Sequence, residues 1–176
     1  MAAKKENWIP LWQGITIQKS TNGGTITVDN NAITVQSTAS PNWSLYVAGQ
    51  GDGSLFPTYQ FLNGKKVKFK FDVVERTLTG SAGPIMCLSI LPQAQYVSGS
   101  LTRLKWKEYP TAVGHHEDVF IFDLSNIKNG TGTVTNSSVL DWKCFLYMAS
   151  GSTITIKDIS LEYLEEGGAK WDTQNL

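Results

Sequence analysis

Short stretches of strict apolar–polar alternation constrain this chain more than any other feature. Ile15 and Ile17 alternate with Thr16 and Gln18, Ile26 and Val28 with Thr25 and Thr27, and Ile33 and Val35 with Thr34 and Gln36. Successive side chains on a strand point to opposite faces, so each stretch reads as a strand with one face buried. Asn22-Gly23-Gly24 and Asp29-Asn30-Asn31 punctuate them as turn signals. This part of the chain therefore reads as short antiparallel strands.

The pattern continues along the chain. In 43–48, parity puts Trp43, Leu45 and Val47 on one face and Tyr46 on the other. In 65–75, Val67, Phe69, Phe71 and Val73 face in while Lys66, Lys68, Lys70 and Asp72 face out, as expected of a solvated or lysine-guarded sheet face. The runs 85–91 and 119–124 are apolar without alternation, which predicts burial on both faces. A strand is expected within 97–106, loops at 109–111 and 113–116, and a loop or weak edge strand over 126–138. In 139–148, Leu140, Trp142, Cys144, Leu146 and Met148 share one face, with Asp141, Lys143, Phe145 and Tyr147 on the other. The last strand breaks parity: Ile154 and Ile156 are even, Ile159, Leu161 and Tyr163 odd. A β-bulge near Lys157-Asp158 would let both sets face one core. There is no long helical stripe. Roughly nine to eleven short strands predict an all-β fold, a two-sheet antiparallel β-sandwich of the jelly-roll type. The expected organisation is an N-terminal arm over 1–13, the sandwich over 14–164 and an exposed tail over 165–176.

Composition narrows the function. Fifteen basic and fifteen acidic residues balance, whereas nucleic-acid binding needs a basic excess, so no nucleic-acid partner is expected. No apolar run approaches the ~20 residues of a membrane helix, and the lysines of the start are not followed by an apolar segment, so neither a membrane partner nor a signal peptide is expected. Cys87 and Cys144 lie in apolar stretches and read as small buried hydrophobes, with a Cys87–Cys144 bridge as the alternative. His115-His116-Glu117-Asp118 is the densest titratable cluster, but adjacent strand residues point apart, so it reads as a polar loop and not a metal site. Carboxylate pairs such as Asp72 with Asp141 stand at outward positions where charge is expected anyway. No Gly-x-Ser-x-Gly elbow or phosphate loop occurs. The chain does not read as an enzyme.

Two stretches carry a resemblance. Gly24-Thr-Ile-Thr-Val-Asp-Asn-Asn-Ala-Ile-Thr-Val-Gln-Ser37 with Trp43-Ser-Leu-Tyr-Val47, and Gly151-Ser-Thr-Ile-Thr-Ile-Lys-Asp-Ile-Ser-Leu-Glu-Tyr-Leu164, resemble jelly-roll carbohydrate-binding modules, including those of bacteriophage tail and fibre proteins. The resemblance implies a saccharide held on the concave sheet face or at edge loops. There, flat aromatic rings cover the C–H patch of a pyranose and nearby polar groups take its hydroxyls. The aromatic candidates are Tyr46, Tyr59, Tyr96, Trp106, Tyr109 and Tyr147, while parity assigns Trp43 and Trp142 to the core. Trp8, Trp12 and Trp171 fall outside the expected sandwich and are candidates for docking to other virion subunits or to further copies of the chain, the alternative being that they fold back onto the domain. No cofactor is expected beyond the structural calcium such modules often hold. Asp158 matches its final-strand ligand in position, but Lys157 stands where a second acid is usual. The implied function is a non-catalytic virion structural or adhesion protein recognising a host surface glycan, located in virions assembled in the host cytoplasm. The alternative is a stand-alone glycan-binding module of a polysaccharide-utilisation system, at a bacterial surface or outside the cell.

Overall fold

The computed structural model describes residues 5–11, 16–19, 24–38, 42–48, 57–79, 84–92, 105–124 and 134–166, with side chains for all of these except 16–19, 42–48 and Phe145. Two antiparallel sheets face each other. One has the order β3 (Gly24–Asp29), β4 (Ala32–Ser37), β11 (Thr153–Leu164), β6 (Lys66–Thr77) and β9 (Gly114–Ile121), with β1 (Trp8–Pro10) also on β11. The other has the order β2 (Thr16–Lys19), β5 (Asn42–Ala48), β10 (Leu140–Met148), β7 (Ile85–Pro92) and β8 (Lys105–Pro110). A four-residue helix, α1 (Tyr59–Leu62), is capped by the Thr58 hydroxyl, which accepts from the Phe61 amide. No helix among the described residues is long and apolar enough to cross a membrane.

The core follows the alternation. Val67, Phe69, Phe71 and Val73 of β6 are buried against Leu140, Trp142, Cys144, Leu146 and Met148 of β10. Phe69 and Trp142 meet edge-on between the sheets, centroids 6.3 Å apart, a favoured aromatic geometry. The β3–β4 hairpin turns through Asn30 and Asn31, both at positive φ (46° and 68°), a conformation asparagine tolerates better than most residues. The bulge in β11 stands where parity requires it. Lys157 pairs with Asp72 and Ser160 with Lys70, so Asp158 and Ile159 together oppose Phe71, and Asp158 takes φ 53°. Ile154, Ile156, Ile159, Leu161 and Tyr163 are consequently all buried.

Several expectations are corrected. Residues 8–10 are not a free arm: they pair with β11 as β1, and Leu11 is buried in the core. The reason is geometric, since β4 covers only residues 153–156 of that edge of β11 and leaves 162–164 for β1. Residues 113–116 are not a loop throughout, because β9 begins at Gly114 and pairs with β6 as far as Lys66↔Ile121. The run from Val119 is not buried on both faces: Val119 and Ile121 are exposed while Phe120 and Phe122 are buried. Of the strand expected within 97–106, Lys105 and Trp106 are described and belong to β8, and 93–104 lie outside the described residues. Neither cysteine forms a disulfide. Cys144 opposes Leu88 on the core face and Cys87 opposes Phe145 on the other, so strand alternation turns the two sulfurs apart. Of the tail, the Glu165 amide donates to the Asn7 carbonyl, and 167–176 lie outside the described residues.

Candidate functional site

Directly opposed residues in antiparallel strands form rows across a sheet, so register shows which positions line up across the β2–β5–β10–β7–β8 sheet. One row runs Trp106, Ser89, Lys143, Ala48, Thr16; the next runs Glu108, Cys87, Phe145, Tyr46, Gln18; a third runs Pro110, Ile85, Tyr147, Trp43. The third row depends on a register shift in β5, where Leu146 pairs with Leu45 but Tyr147 pairs with Trp43. Trp43 pairs there with Tyr147, and its side chain lies outside the described side chains. Trp142 is buried in the core as expected.

This face has a buried floor and an accessible margin. Asp141, Lys143, Ser89, Cys87 and Leu91 are buried, Trp106 and Tyr147 are partly exposed, and Glu108 and Pro110 are exposed. Burial pushes the Lys143 ammonium down to about 8, because desolvation penalises its charged form. The Ser89 hydroxyl, next to it in the same row, has no hydrogen-bond partner among the described residues. Asp141 accepts the Trp142 amide at 2.7 Å. At the margin, the Trp106 indole Nε1 donates to Glu108 Oε1 at 2.9 Å, which lays the ring along β8 beside a carboxylate. The margin offers a flat apolar ring with an exposed carboxylate beside it, while Ser89, Lys143 and Asp141 lie buried beneath the face. None of Asp141, Lys143, Ser89 and Glu108 was singled out from sequence as a binding group. Asp141 and Lys143 carried there only the signal of charge on the non-core parity of 139–148, and register with β7 and β8 was needed to bring Ser89 and Glu108 beside them.

The opposite face of β8 looks into the sandwich. Lys105 Nζ lies 2.7 Å from Asp123, Lys107 Nζ lies 2.7 Å from Asp118, and the Tyr109 hydroxyl donates to Asp118 at 2.8 Å. Tyr109 packs on Phe69 and Phe71, centroids 5.3 and 6.2 Å away. Burial first, and then the Asp118 carboxylate, pushes its phenol well above the usual tyrosine range. Tyr109 is therefore packing and not a ligand platform, and Trp106 stands on a strand rather than a loop.

The remaining candidates are dispersed. Tyr59, on α1, packs edge-on against Phe122 away from this face. Tyr46 lies on the face by register, but its side chain is outside the described side chains; Tyr96, Trp12 and Trp171 lie outside the described residues altogether. Trp8 is folded back onto its own sheet, with Lys68 Nζ 3.9 Å from the ring and its Nε1 donating to Glu6 at 3.0 Å. Asp158 is exposed at the bulge and lines an open groove of about 340 Å³ with Lys70, Asp72, His115, Ser160 and Glu162. There Asp72 pairs with His115 at 2.6 Å and Glu162 with Lys70 at 3.2 Å. No three His, Cys, Asp or Glu side chains among the described residues converge to hold a metal ion. His115 and His116 do point apart: His116 stacks on Phe71 at 4.7 Å while His115 faces Asp72 and Glu117.

No protein-family model matches the sequence, and no curated protein matches it. Among solved structures the chain is similar to a carbohydrate-binding module of family 4, at 10% identity over 81% of this chain and 90% of that one, TM-score 0.49. It is also similar to a family 29 module complexed with cellulohexaose, at 9% identity over 89% of this chain and 91% of that one, TM-score 0.44. A family 61 module in complex with β-1,4-galactotriose is similar at 14% identity over 85% and 88%, TM-score 0.41. The fold itself is a sandwich of two antiparallel sheets.

Proposed function

We propose that this protein is a non-catalytic glycan-binding protein that takes a saccharide on the outer face of the β2–β5–β10–β7–β8 sheet. The observation that carries the reading is Trp106, partly exposed, bonded to Glu108, and in register with Ser89 and Lys143. An indole covers the C–H face of a pyranose, and the carboxylate beside it accepts ring hydroxyls. Catalysis is not part of the reading: of the acids on this face, Asp141 is buried and Glu108 exposed, which does not make a pair flanking a glycosidic bond. The test is affinity gel electrophoresis against soluble β-glucan, mannan and galactan. The wild type should be retarded by at least one, and Trp106→Ala should weaken that retention about tenfold or more, the cost typical of truncating an aromatic anchor. Equal retention of the two proteins refutes the site.

The finer reading is a virion structural or adhesion role toward a host surface glycan. Two cysteines that form no disulfide suit assembly in a reducing cytosol. Light scattering tests it: multimers are expected, and a strictly monomeric chain favours a stand-alone glycan-binding module instead.

A further inference from the structure

Among the described strands, β8, which carries Trp106 and Glu108, pairs on one side only, with β7. A ladder on one side leaves the position of an edge strand loosely determined. In this protein side chains supply the missing constraint. Lys107 Nζ lies 2.7 Å from Asp118 Oδ2, and the Tyr109 hydroxyl donates to the same oxygen at 2.8 Å. Asp118 belongs to β9 of the opposite sheet, where it pairs in register with Phe69. One carboxylate oxygen therefore ties together two alternate residues of β8, and the residue between them, Glu108, faces the other way with Trp106. The Lys107 and Asp118 side chains are 26% and 29% exposed, so their charges are partly withdrawn from water and the bonds are stronger than those of an open surface pair. The Tyr109 ring rests on Phe69 and Phe71, which fixes the direction of its hydroxyl.

We propose that Asp118 is a positioning residue for the ligand face, setting through Lys107 and Tyr109 the height and tilt at which β8 presents Trp106 and Glu108 to a saccharide. The proposal rests on the glycan reading above. Asp118 itself stands on the far side of β8 from the ligand. A saccharide reaching from Trp106 to Tyr147 crosses two strand spacings, about 10 Å, from β8 to β10 and runs four residues, about 13 Å, along β10 from Lys143 to Tyr147, so it spans roughly 16 Å. Stacking and hydrogen bonding over that span require both ends in place, and slack of about an ångström at one end is enough to lose much of the affinity.

The experiment compares wild type, Asp118→Ala, Asp118→Asn and Trp106→Ala at a temperature where each is fully folded. It reads amide exchange in β8 and retention by the polysaccharide that best retards the wild type. Asp118→Ala should exchange the amides of 105–109 roughly tenfold faster, with β10 unchanged, and should bind about tenfold more weakly. Asp118→Asn, which keeps an oxygen for Tyr109 but not the charge for Lys107, should fall between. If Asp118→Ala fails to fold, Lys107→Met with Tyr109→Phe removes the same bonds from the other side. Wild-type affinity in the Asp118 variants, with Trp106→Ala weakened, overturns the positioning role and leaves the glycan reading standing. Undiminished binding by Trp106→Ala, or no retention of the wild type by any polysaccharide, overturns that reading and the proposal with it.

Discussion

Replacing Lys143 with methionine should stabilise the fold while weakening glycan binding. Lys143 is 1% exposed, and burial lowers its ammonium from 10.5 to about 8. A shift of that size, at about 1.36 kcal/mol per unit, means that holding the charged form in the folded protein costs about 3 kcal/mol at neutral pH. Methionine has similar length and no charge to desolvate, so Lys143→Met should gain about 1–3 kcal/mol at pH 7, less whatever contacts the ammonium makes. The folded-state value lies below the unfolded one, so between about 8 and 10.5 the unfolded chain holds the extra proton and wild-type stability rises with pH. The gap between variant and wild type is therefore widest below pH 8 and closes through that window. Urea unfolding at pH 7, 9 and 11 measures it. A Lys143→Met protein less stable than wild type at pH 7, with a gap that does not change with pH, would refute the argument that the ammonium is held there against its solvation.

The bulge gives a second prediction. Asp158→Gly should be close to neutral because glycine adopts positive φ freely, whereas Asp158→Val should lose about 1–2 kcal/mol in urea unfolding from forcing a β-branched residue to φ 53°. In the core, Phe69→Ala should cost about 3–5 kcal/mol, since Phe69 is buried among Phe71, Tyr109 and Trp142. The His115–Asp72 pair sets a pH dependence. Bonds to Asp72 and Glu117 raise His115, so its contribution is present below the ordinary histidine value of 6.5 and is lost as pH rises through the raised value. The bond to His115 lowers Asp72, so its contribution is present above 3.8 and is lost as pH falls through the lowered value. A thermal-melt pH series should show the benefit of the pair between those limits, and His115→Gln should flatten it.

Much of the sandwich was legible because a one-residue slip would have exposed its core. The alternation of β6 and β10 set which face each strand buries, and the parity conflict between Ile156 and Ile159 located the β11 bulge. The same reasoning does not reveal the register shift in β5, because it lies between polar and apolar neighbours that give no parity conflict. It also failed at His115, where two histidines after a glycine look like a loop although Asp72 and Phe71 of β6 give each a partner on its own side of the strand. The candidate face was the least legible part. Trp106, Ser89 and Lys143 come from three separate strands, and only cross-strand register makes them a row. Tyr109 stands in sequence among Lys105, Lys107 and Glu108, yet it turns inward with Lys107, and both bond Asp118 across the sandwich.

The central claim is that the outer face of the β2–β5–β10–β7–β8 sheet receives a saccharide. Its most direct test is a chemical-shift titration of the labelled protein with a soluble fragment of whichever polysaccharide retards it most. Amides of Trp106, Glu108, Ser89, Lys143 and Tyr147 should shift together and saturably. Shifts confined to the groove around Asp72, His115 and Asp158 on the other sheet, or no saturable shifts at all, would contradict it.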